Sequence, residues 1–496
     1  MKLVKSLLLG SAAGMAAVAG AHAADLPFRK AAPVDYVRVC DWVGGGGYFY
    51  IPGTDTCVKL GGLARAEFGY VEPDRYFTPN SFGTLAGVAA NGGANIASGN
   101  FVNGRQRNSV GLFARGALQV DARTQTAYGL LRANARVQAD RATGNYNGAF
   151  SGASTNGSSP FGGSGGSAYL DRGYITFAGF TAGRVQSFFD FYADNYNFEG
   201  IANSDISTNA FAYTATFGGG LSATIAVEDS TQRRFTPIGN STVDLLQGNF
   251  GQTNVRYDGA RIPDIVGVIR ADQAWGSAQL SAAYHRVATN GTTDLLGLGV
   301  LTTQSNRAID GFAVQGGVQI KLPMLAAGDD IWLEGAYQQG AKGYQDSTQY
   351  LNAGFNSLAI GGFQHLDSDA YAYANADGSY SLSKAEGFSV LGAFHHFFTP
   401  NFSDVIFGSY EEISYGNRAK NTDWTLGGIG DASEYRIGNQ FIWTPVNNLS
   451  LGVEFLYAHI DQTLAHSPGV AATALPFGVA KDPSAFQGRF RIERDF

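Results

Sequence analysis

The sequence predicts an all-β fold, a transmembrane antiparallel β-barrel of 16 strands. Three observations lead to this prediction: an unusual composition, segments in which apolar and polar residues alternate, and connections that alternate between short turns and long loops. The 496 residues include 67 Gly, 34 Phe and 24 Tyr, and only 15% are charged, against about 25% in a typical soluble domain. Such a composition favours many strands and long loops over a helical core.

The charge and the hydropathy pattern exclude two other classes of protein. The formal net charge of −7 argues against a nucleic-acid-binding protein, which needs a basic surface. Beyond the N-terminus, the sequence contains no uncharged apolar run of about 18 residues or more, the length that marks a membrane-spanning helix. A helical membrane protein is therefore excluded.

The N-terminus has the features of a signal peptide. Lys2 and Lys5 precede an apolar stretch from Leu7 to Val18, and Ala21-His22-Ala23 forms an A-x-A cleavage site. The alternative, a single N-terminal membrane anchor, is disfavoured because the stretch is short and rich in Ala and Gly. We expect residues 1–23 to be removed and the protein to be exported.

The chain contains two cysteines, Cys40 and Cys57. In an oxidising compartment, such a pair at short spacing predicts one disulfide, which would stabilise the fold by about 3 kcal/mol by constraining the unfolded chain. The alternative of a reactive thiol is disfavoured because the sequence has no C-x-x-C motif and no histidine close to either cysteine.

Segments 62–71, 110–123 and 128–139 alternate strictly between apolar and polar residues, which is typical of strands with different environments on their two faces. The residues predicted to face lipid include Ala64, Phe68, Leu112, Leu118 and Leu131. The alternate residues that form the polar face of these segments include five arginines, here called the basic wall: Arg65, Arg115, Arg123, Arg132 and Arg136. The alternative is an antiparallel sandwich. However, these segments exceed the usual strand length of about 5–6 residues, and no second class of segment exists to cover them.

The connections favour the barrel over the sandwich. Short turns are predicted at Thr124-Gln125, Gly179–Ala182, Gly218–Gly220, Gln273–Ser277, Pro323–Asp329, Thr399–Ser403 and Thr444–Leu449. Long loops, rich in Gly, Ser, Asn and Asp, are predicted at about 72–106, 140–167, 186–209, 229–261, 288–308, 340–383, 416–432 and 461–484. Outer-membrane barrels have short periplasmic turns, long extracellular loops and an even number of strands, whereas a sandwich has no reason to place every long loop at one end.

Several motifs resemble those of the alphaproteobacterial (rhizobial-type) porins. They are Val37–Asp41, the glycine-rich run Gly44–Tyr50, Ile51–Cys57, Asp272–Gly276 and the terminal Phe496. The resemblance covers the chain from the cysteine pair to the last residue. The first loop, from Ser81 to Asn100, and the sixth loop depart from the family pattern, which leaves surface contacts in doubt rather than the pore.

This resemblance implies a homotrimeric outer-membrane porin for passive uptake of small hydrophilic solutes and ions, with its third long loop folded into the lumen. It implies that Phe496 is the signal read by the outer-membrane assembly machinery, and that lipids and lipopolysaccharide surround the barrel. We accordingly expect a signal peptide at 1–23, an N-terminal segment with the disulfide loop at 24–58, and the transmembrane β-barrel at 59–496.

The third predicted loop carries the candidate pore constriction. It contains four carboxylates, Asp190, Asp194, Glu199 and Asp205, and no Lys or Arg. An acidic loop opposite the basic wall would set up a transverse field, which is screened less in a narrow slot than between exposed charges. The alternative is a polar lumen with scattered solvated charges. The acidic loop predicts a weak cation preference, although the basic wall acts in the opposite direction.

Catalytic, metal and cofactor sites are not expected. The sequence has no G-x-S-x-G nucleophile elbow, no G-K-[ST] follows Gly44–Gly47, and His395 and His396 are neighbours that would face opposite sides of a strand. Two functions therefore stay open: a diffusion porin, and a structural or adhesive outer-membrane barrel that acts through its long loops. Single-channel recording in a planar bilayer separates these two functions.

Overall fold

The computed structural model describes residues 38–43, 46–73, 76–79, 99–102, 109–144, 165–239, 252–294, 302–347, 365, 367–421, 429–463 and 482–496. The predicted signal peptide lies outside these residues. Within them, no helix has the length and apolar character needed to cross a membrane.

Sixteen antiparallel strands form the closed wall of a barrel, as the sequence predicts. In chain order they are β1 (Thr56–Pro73), β2 (Val110–Thr126), β3 (Gly129–Gly144), β4 (Gly165–Phe177), β5 (Phe180–Gln186), β6 (Ser207–Gly218), β7 (Leu221–Glu228), β8 (Asp264–Gln273), β9 (Gly276–Asp294), β10 (Thr302–Lys321), β11 (Asp330–Gln339), β12 (Glu386–Thr399), β13 (Phe402–Ser414), β14 (Ala432–Val446), β15 (Leu449–Gln462) and β16 (Ser484–Asp495). Closure comes from β1 and β16, which pair from Leu63 with Asp495 to Pro73 with Ala485. Closure removes the strand edges that lipid could not satisfy.

Shorter strands and helices lie at the two ends of the barrel. Strand Phe49–Tyr50 extends the wall beside β1, and strand Gln252–Tyr257 pairs with the upper part of β9. In the loops, Ile238–Gly239, Ala370–Ala374 and Tyr380–Lys384 form a small separate sheet. Strands Tyr76–Pro79 and Gly99–Val102 form a hairpin. The short helices are α1 (Lys342–Gln345) and α2 (Asn417–Asn421), and Ser230–Arg233 is one 3-10 turn.

The alternation predicted from the sequence is confirmed on the outer face. Leu118 is 66% exposed and Leu112 is 57% exposed, whereas their neighbours Phe113 and Ala117 are buried inside the barrel. Ala64, Phe68 and Leu131 are also exposed. An apolar outer face and a polar inner face are what a barrel in a membrane requires.

The first short turn differs from the prediction. Thr124 and Gln125 continue β2 and pair with Leu131 and Leu130, so that the turn lies at Ala127-Tyr128, three residues further on. Gly129 closes this turn with a φ of 113°, a left-handed conformation that glycine adopts without a steric penalty. The predicted site of the turn was therefore wrong by a few positions, although the hairpin itself is correct.

The fifth long loop is also shorter than predicted. Strands β9 and β10 extend to Asp294 and Thr302 and pair from Gly276 with Ile320 to Asp294 with Thr302, so that at most seven residues are left for the loop. The predicted loop 288–308 is rich in Thr, Asn and Gly, which suggested a turn region. Its threonines instead continue the ladder, because β-branched residues fit a pleated sheet.

The long loops that position the site are the third (residues 187–206), the fourth (229–263) and the sixth (340–385). The third loop folds into the lumen, as the family resemblance implies, and the described parts of the fourth and sixth loops pack against it. The interior consequently contains charged and aromatic side chains in contact with loops, rather than a conventional apolar core.

Candidate pore constriction

The third loop leaves the wall at β5 and returns at β6, but between these strands it crosses to the opposite side of the barrel. Its backbone and side chains contact Glu228 on β7, Glu334 on β11, Ser409 on β13, Glu454 on β15 and Arg489 on β16. A loop held by strands so far apart around the ring has to pass through the lumen.

Three carboxylates of the wall hold the backbone of this loop. Glu228 accepts a hydrogen bond from the Phe188 amide at 2.9 Å, and Glu334 accepts one from the Tyr192 amide at 2.9 Å. Glu454 accepts two, from the amides of Phe198 at 2.6 Å and Glu199 at 2.9 Å. These four hydrogen bonds join wall side chains of three strands to amides of the loop, so together they fix its path.

Aromatic rings of the loop fill the space against the wall. Phe189 packs on Tyr344 of α1 with ring centroids 4.8 Å apart, and Phe191 packs on Trp332 at 5.0 Å. A Cβ atom at Gly452 would lie 2.4 Å from the ring of Phe198. The strand therefore needs glycine at this position for the loop to approach so closely.

Two of the four predicted loop carboxylates form buried ion pairs. Asp190 accepts from the Arg233 guanidinium of the fourth loop at 2.9 Å. Arg233 also donates to the carbonyl of Gly343 at 2.7 Å, so it joins the third, fourth and sixth loops. Glu199 pairs with Arg489 of β16. These pairs connect the loop to its surroundings at two distant points.

The other two carboxylates are held mainly within the loop. Asp194 accepts hydrogen bonds from Asn197 at 2.8 Å, from Asn203 at 2.6 Å and from the Ile201 amide at 3.3 Å. Asp194 has a φ of 50°, and its hydrogen bonds support this turn. Asp205 accepts from Gln186 at 2.8 Å. Burial, with the neighbouring charges of Asp194 and Asp190, raises the pKa of Asp205 to about 7.

The five arginines of the basic wall lie on β1, β2 and β3, and each of them faces a carboxylate. Arg115 forms a two-pronged pair with Asp140 at 2.8 Å for each contact. Asp121 receives both Arg123 at 3.0 Å and Arg132 at 2.9 Å. The remaining pairs are Arg65 with Glu493 and Arg136 with Asp171, the latter at 3.4 Å. Sequence reasoning missed these acidic partners, although Asp121 and Asp140 occupy the same polar parity as the arginines.

The acidic loop and the basic wall meet through β16. Glu67 of β1 pairs with Arg489 at 3.4 Å and with Arg491 at 2.7 Å, and Arg489 is also the partner of Glu199. Arg65 approaches the same Glu67 at 3.7 Å. Among the described ion pairs, the partners of the loop carboxylates are Arg233 and Arg489, which the sequence analysis did not single out.

The disulfide loop and the terminal Phe496 lie beside β1. The predicted disulfide between Cys40 and Cys57 is confirmed. Within the loop that it closes, the hydroxyl of Tyr48 donates to Asp121 at 2.8 Å, and the Tyr48 ring lies 4.8 Å from the Arg123 guanidinium. The terminal Phe496 pairs its backbone with Gly62, and its ring is 63% exposed.

Comparisons with known proteins agree with this architecture. The family model described as "Porin subfamily" matches residues 25–485. The porin Omp2b of Brucella suis biovar 1 (strain 1330) is 29% identical over 354 residues, which cover 70% of this chain and 77% of that protein. Omp2b of Brucella canis is 28% identical over the same length.

A solved structure has the same fold. The outer membrane channel DcaP of Acinetobacter baumannii superimposes with a TM-score of 0.53 at 15% sequence identity, covering 90% of this chain and 99% of that chain. The chain therefore belongs to the porin subfamily, and it forms a channel for passive diffusion through the bacterial outer membrane.

Proposed function

We propose that the third loop is the constriction of this channel, and that its carboxylates together with the basic wall determine which ions pass. The observation that carries the proposal is the anchoring of the loop across the lumen by Glu228, Glu334 and Glu454. A fixed loop narrows a barrel of about 16 strands, which would otherwise enclose a wide aqueous channel.

The basic wall supplies one side of the proposed field. Its arginine side chains are between 17% and 28% exposed, so their charged groups reach the aqueous lumen. The five arginines have four carboxylates as their closest described partners, because Arg123 and Arg132 both pair with Asp121, so the wall presents a largely compensated charge to solutes rather than an uncompensated positive surface. This arrangement orients water and disfavours apolar solutes. Two of the loop carboxylates are already paired with arginines, so the weak cation preference is left to the other two, Asp194 and Asp205.

Deleting residues 191–200 of the third loop tests this proposal directly. We expect the single-channel conductance to rise clearly above that of the wild-type channel, because the deletion removes the segment held by Glu334 and Glu454. Deleting residues 354–364 of the sixth loop, which lie outside the described part of the chain, serves as the control and should change conductance little. Equal effects of the two deletions in planar-bilayer recordings would show that the third loop is not the constriction.

The pKa of Asp205 predicts a pH-dependent selectivity. A carboxyl group with a pKa of about 7 is neutral below that pH and charged above it. The cation preference should therefore increase between about pH 6 and about pH 8, one unit to either side of this pKa. Reversal potentials in a salt gradient measure the change. Asp205→Asn should reduce this change, whereas Asp377→Asn at an exposed site of the sixth loop should preserve it. A selectivity that is unaffected by pH in the wild-type channel contradicts this assignment.

The protein acts as a channel rather than as an enzyme. The finer features that the family resemblance implies stay predictions: assembly as a homotrimer, contact with lipids and lipopolysaccharide, and recognition of Phe496 by the assembly machinery. The absence of any conductance in recordings of the correctly folded protein would favour the alternative of an adhesive or structural barrel.

A further inference from the structure

A histidine of the sixth loop lies between two glutamates of the wall at the long-loop end of the barrel. His365 belongs to the loop, Glu411 to β13 and Glu434 to β14. All three side chains are at most 2% exposed. Buried charges need partners or a bound ion, so the arrangement of these side chains calls for a chemical explanation.

The distances among their donor atoms match the coordination shell of a metal ion. Nε2 of His365 lies 3.3 Å from Oε1 of Glu411 and 3.2 Å from Oε2 of Glu434, and the three atoms lie within 4.8 Å of one another. Tetrahedral coordination with metal–ligand bonds of about 2.0–2.1 Å places neighbouring ligand atoms about 3.3 Å apart. A single Nε2–H group cannot donate a strong hydrogen bond to both carboxylates at once. A cation between the three atoms can bind all of them.

The atoms that face away from this point are held by other groups. The second oxygen of Glu411 accepts from Lys342 Nζ at 3.0 Å, and the second oxygen of Glu434 accepts from Arg436. Nδ1 of His365 lies 2.9 Å from Asp367. A carboxylate behind the far nitrogen of a histidine is the usual arrangement around a protein-bound zinc ion, where it fixes the ring orientation. Each side chain therefore directs a single atom toward the shared point.

A buried oxygen directed toward this point is poorly satisfied. Oε1 of Glu411 lies 3.3 Å from Nε2 of His365, but it has no hydrogen bond of good geometry from the described residues, and leaving such an acceptor unsatisfied normally costs free energy. The local charge also leaves room for a cation. Four buried carboxylates, Asp346, Asp367, Glu411 and Glu434, surround two permanent cations, Lys342 and Arg436. Four negative charges and two positive charges leave an excess of two negative charges when the imidazole is neutral. One divalent cation neutralises this excess.

We propose that His365, Glu411 and Glu434 bind one divalent transition-metal ion of the zinc class, with Asp367, Lys342 and Arg436 positioning these ligands. Imidazole nitrogen combined with carboxylate oxygen suits zinc-class ions better than calcium or magnesium, which prefer oxygen ligands alone. The ion joins the sixth loop to β13 and β14. Because Tyr344 of the sixth loop packs on Phe189 of the third loop, the ion also supports the arrangement of loops at the pore entrance. The proposal replaces our expectation from the sequence that no metal site exists.

Cobalt titration of the full-length protein tests this site. The protein is folded in detergent, stripped with a chelator and titrated with Co²⁺, and its folding is checked by heat-modifiable migration on gels. We expect one equivalent of Co²⁺ to bind with the visible absorption of a tetrahedral N/O site, and Zn²⁺ to displace it. Asp367→Asn should weaken binding by about 10- to 100-fold, the usual effect of losing the group behind a ligating histidine.

Two variants separate this site from non-specific binding. His365→Gln should abolish the absorption, whereas His459→Gln should preserve it, because His459 bonds Ser484 on the neighbouring strand β16. His365→Gln is expected to fold, because its side chain comes from a loop rather than from the barrel wall. The proposal is overturned if the folded wild-type protein binds no Co²⁺, or if His365→Gln binds it as tightly as wild type. The three side chains would then form only an imidazolium–carboxylate network.

Discussion

Glu454→Ala is expected to release the third loop from the wall while the barrel stays folded. The substitution removes the acceptor of two loop amides, those of Phe198 and Glu199. Each buried amide left without an acceptor costs about 1–3 kcal/mol, so the anchoring of the loop should weaken by about 2–6 kcal/mol. The Glu454 side chain takes no part in the backbone hydrogen bonds between strands. The unfolding midpoint of the barrel should therefore change much less.

Single-channel recording measures the release of the loop. The variant should show a higher and noisier conductance than wild type, and its third loop should become sensitive to protease. Glu493→Ala is a matched control for the protease sensitivity, because Glu493 also faces the lumen but pairs with Arg65 of the basic wall instead of the loop. A Glu454→Ala channel with wild-type conductance and protease resistance would show that the remaining contacts, to Glu334 and Ser409, are enough to hold the loop.

Leu118→Arg is expected to destabilise the barrel by about 2–4 kcal/mol, the cost of a cationic side chain near the bilayer midplane on the outer face of such a barrel. Leu118 is 66% exposed on the outside of β2 and lies near the middle of that strand. The adjacent Gln119 faces the lumen, so Gln119→Arg should cost far less. Urea unfolding followed by heat-modifiable migration measures both variants. Equal destabilisation would mean that the inward and outward faces are assigned incorrectly.

The sequence predicts the barrel well because lipid and water act on alternate residues of every strand. Leu112 and Leu118 could be assigned to the outer face from this parity alone. Strand ends are less predictable, because composition does not define them. The segment 288–308 reads as a loop from its Asn, Gly and Thr content, yet its flanks pair in the ladder between β9 and β10.

The charges of the proposed constriction can be read from the sequence, but their partners in the fold cannot. Glu199 is bound by Arg489, and the amide of Phe198 is bound by Glu454, 256 positions away. No local pattern distinguishes Glu454 from any other polar residue on the inner parity of a strand. Such contacts depend on where the loop crosses the closed barrel, and that path follows from the three-dimensional register of all the strands.

The proposed metal site illustrates the same limit. His365 and Asp367 are two positions apart, which is a weak local signal for a histidine oriented by a carboxylate. Glu411 and Glu434 lie on two later strands that become neighbours only when the sheet forms. His395 and His396 stand out because they are adjacent in sequence, whereas His365 meets its carboxylates only when the chain folds.

The wall carboxylates bind amide groups of the third loop, and every residue except proline has such a group. Substitutions in the loop can therefore exchange one side chain for another without removing these anchors. A lineage could in this way alter the charge presented to solutes, and hence the nutrients admitted, while the narrowest passage keeps its position. For protein engineers, the loop is a site at which selectivity can be varied with the geometry of the pore held constant.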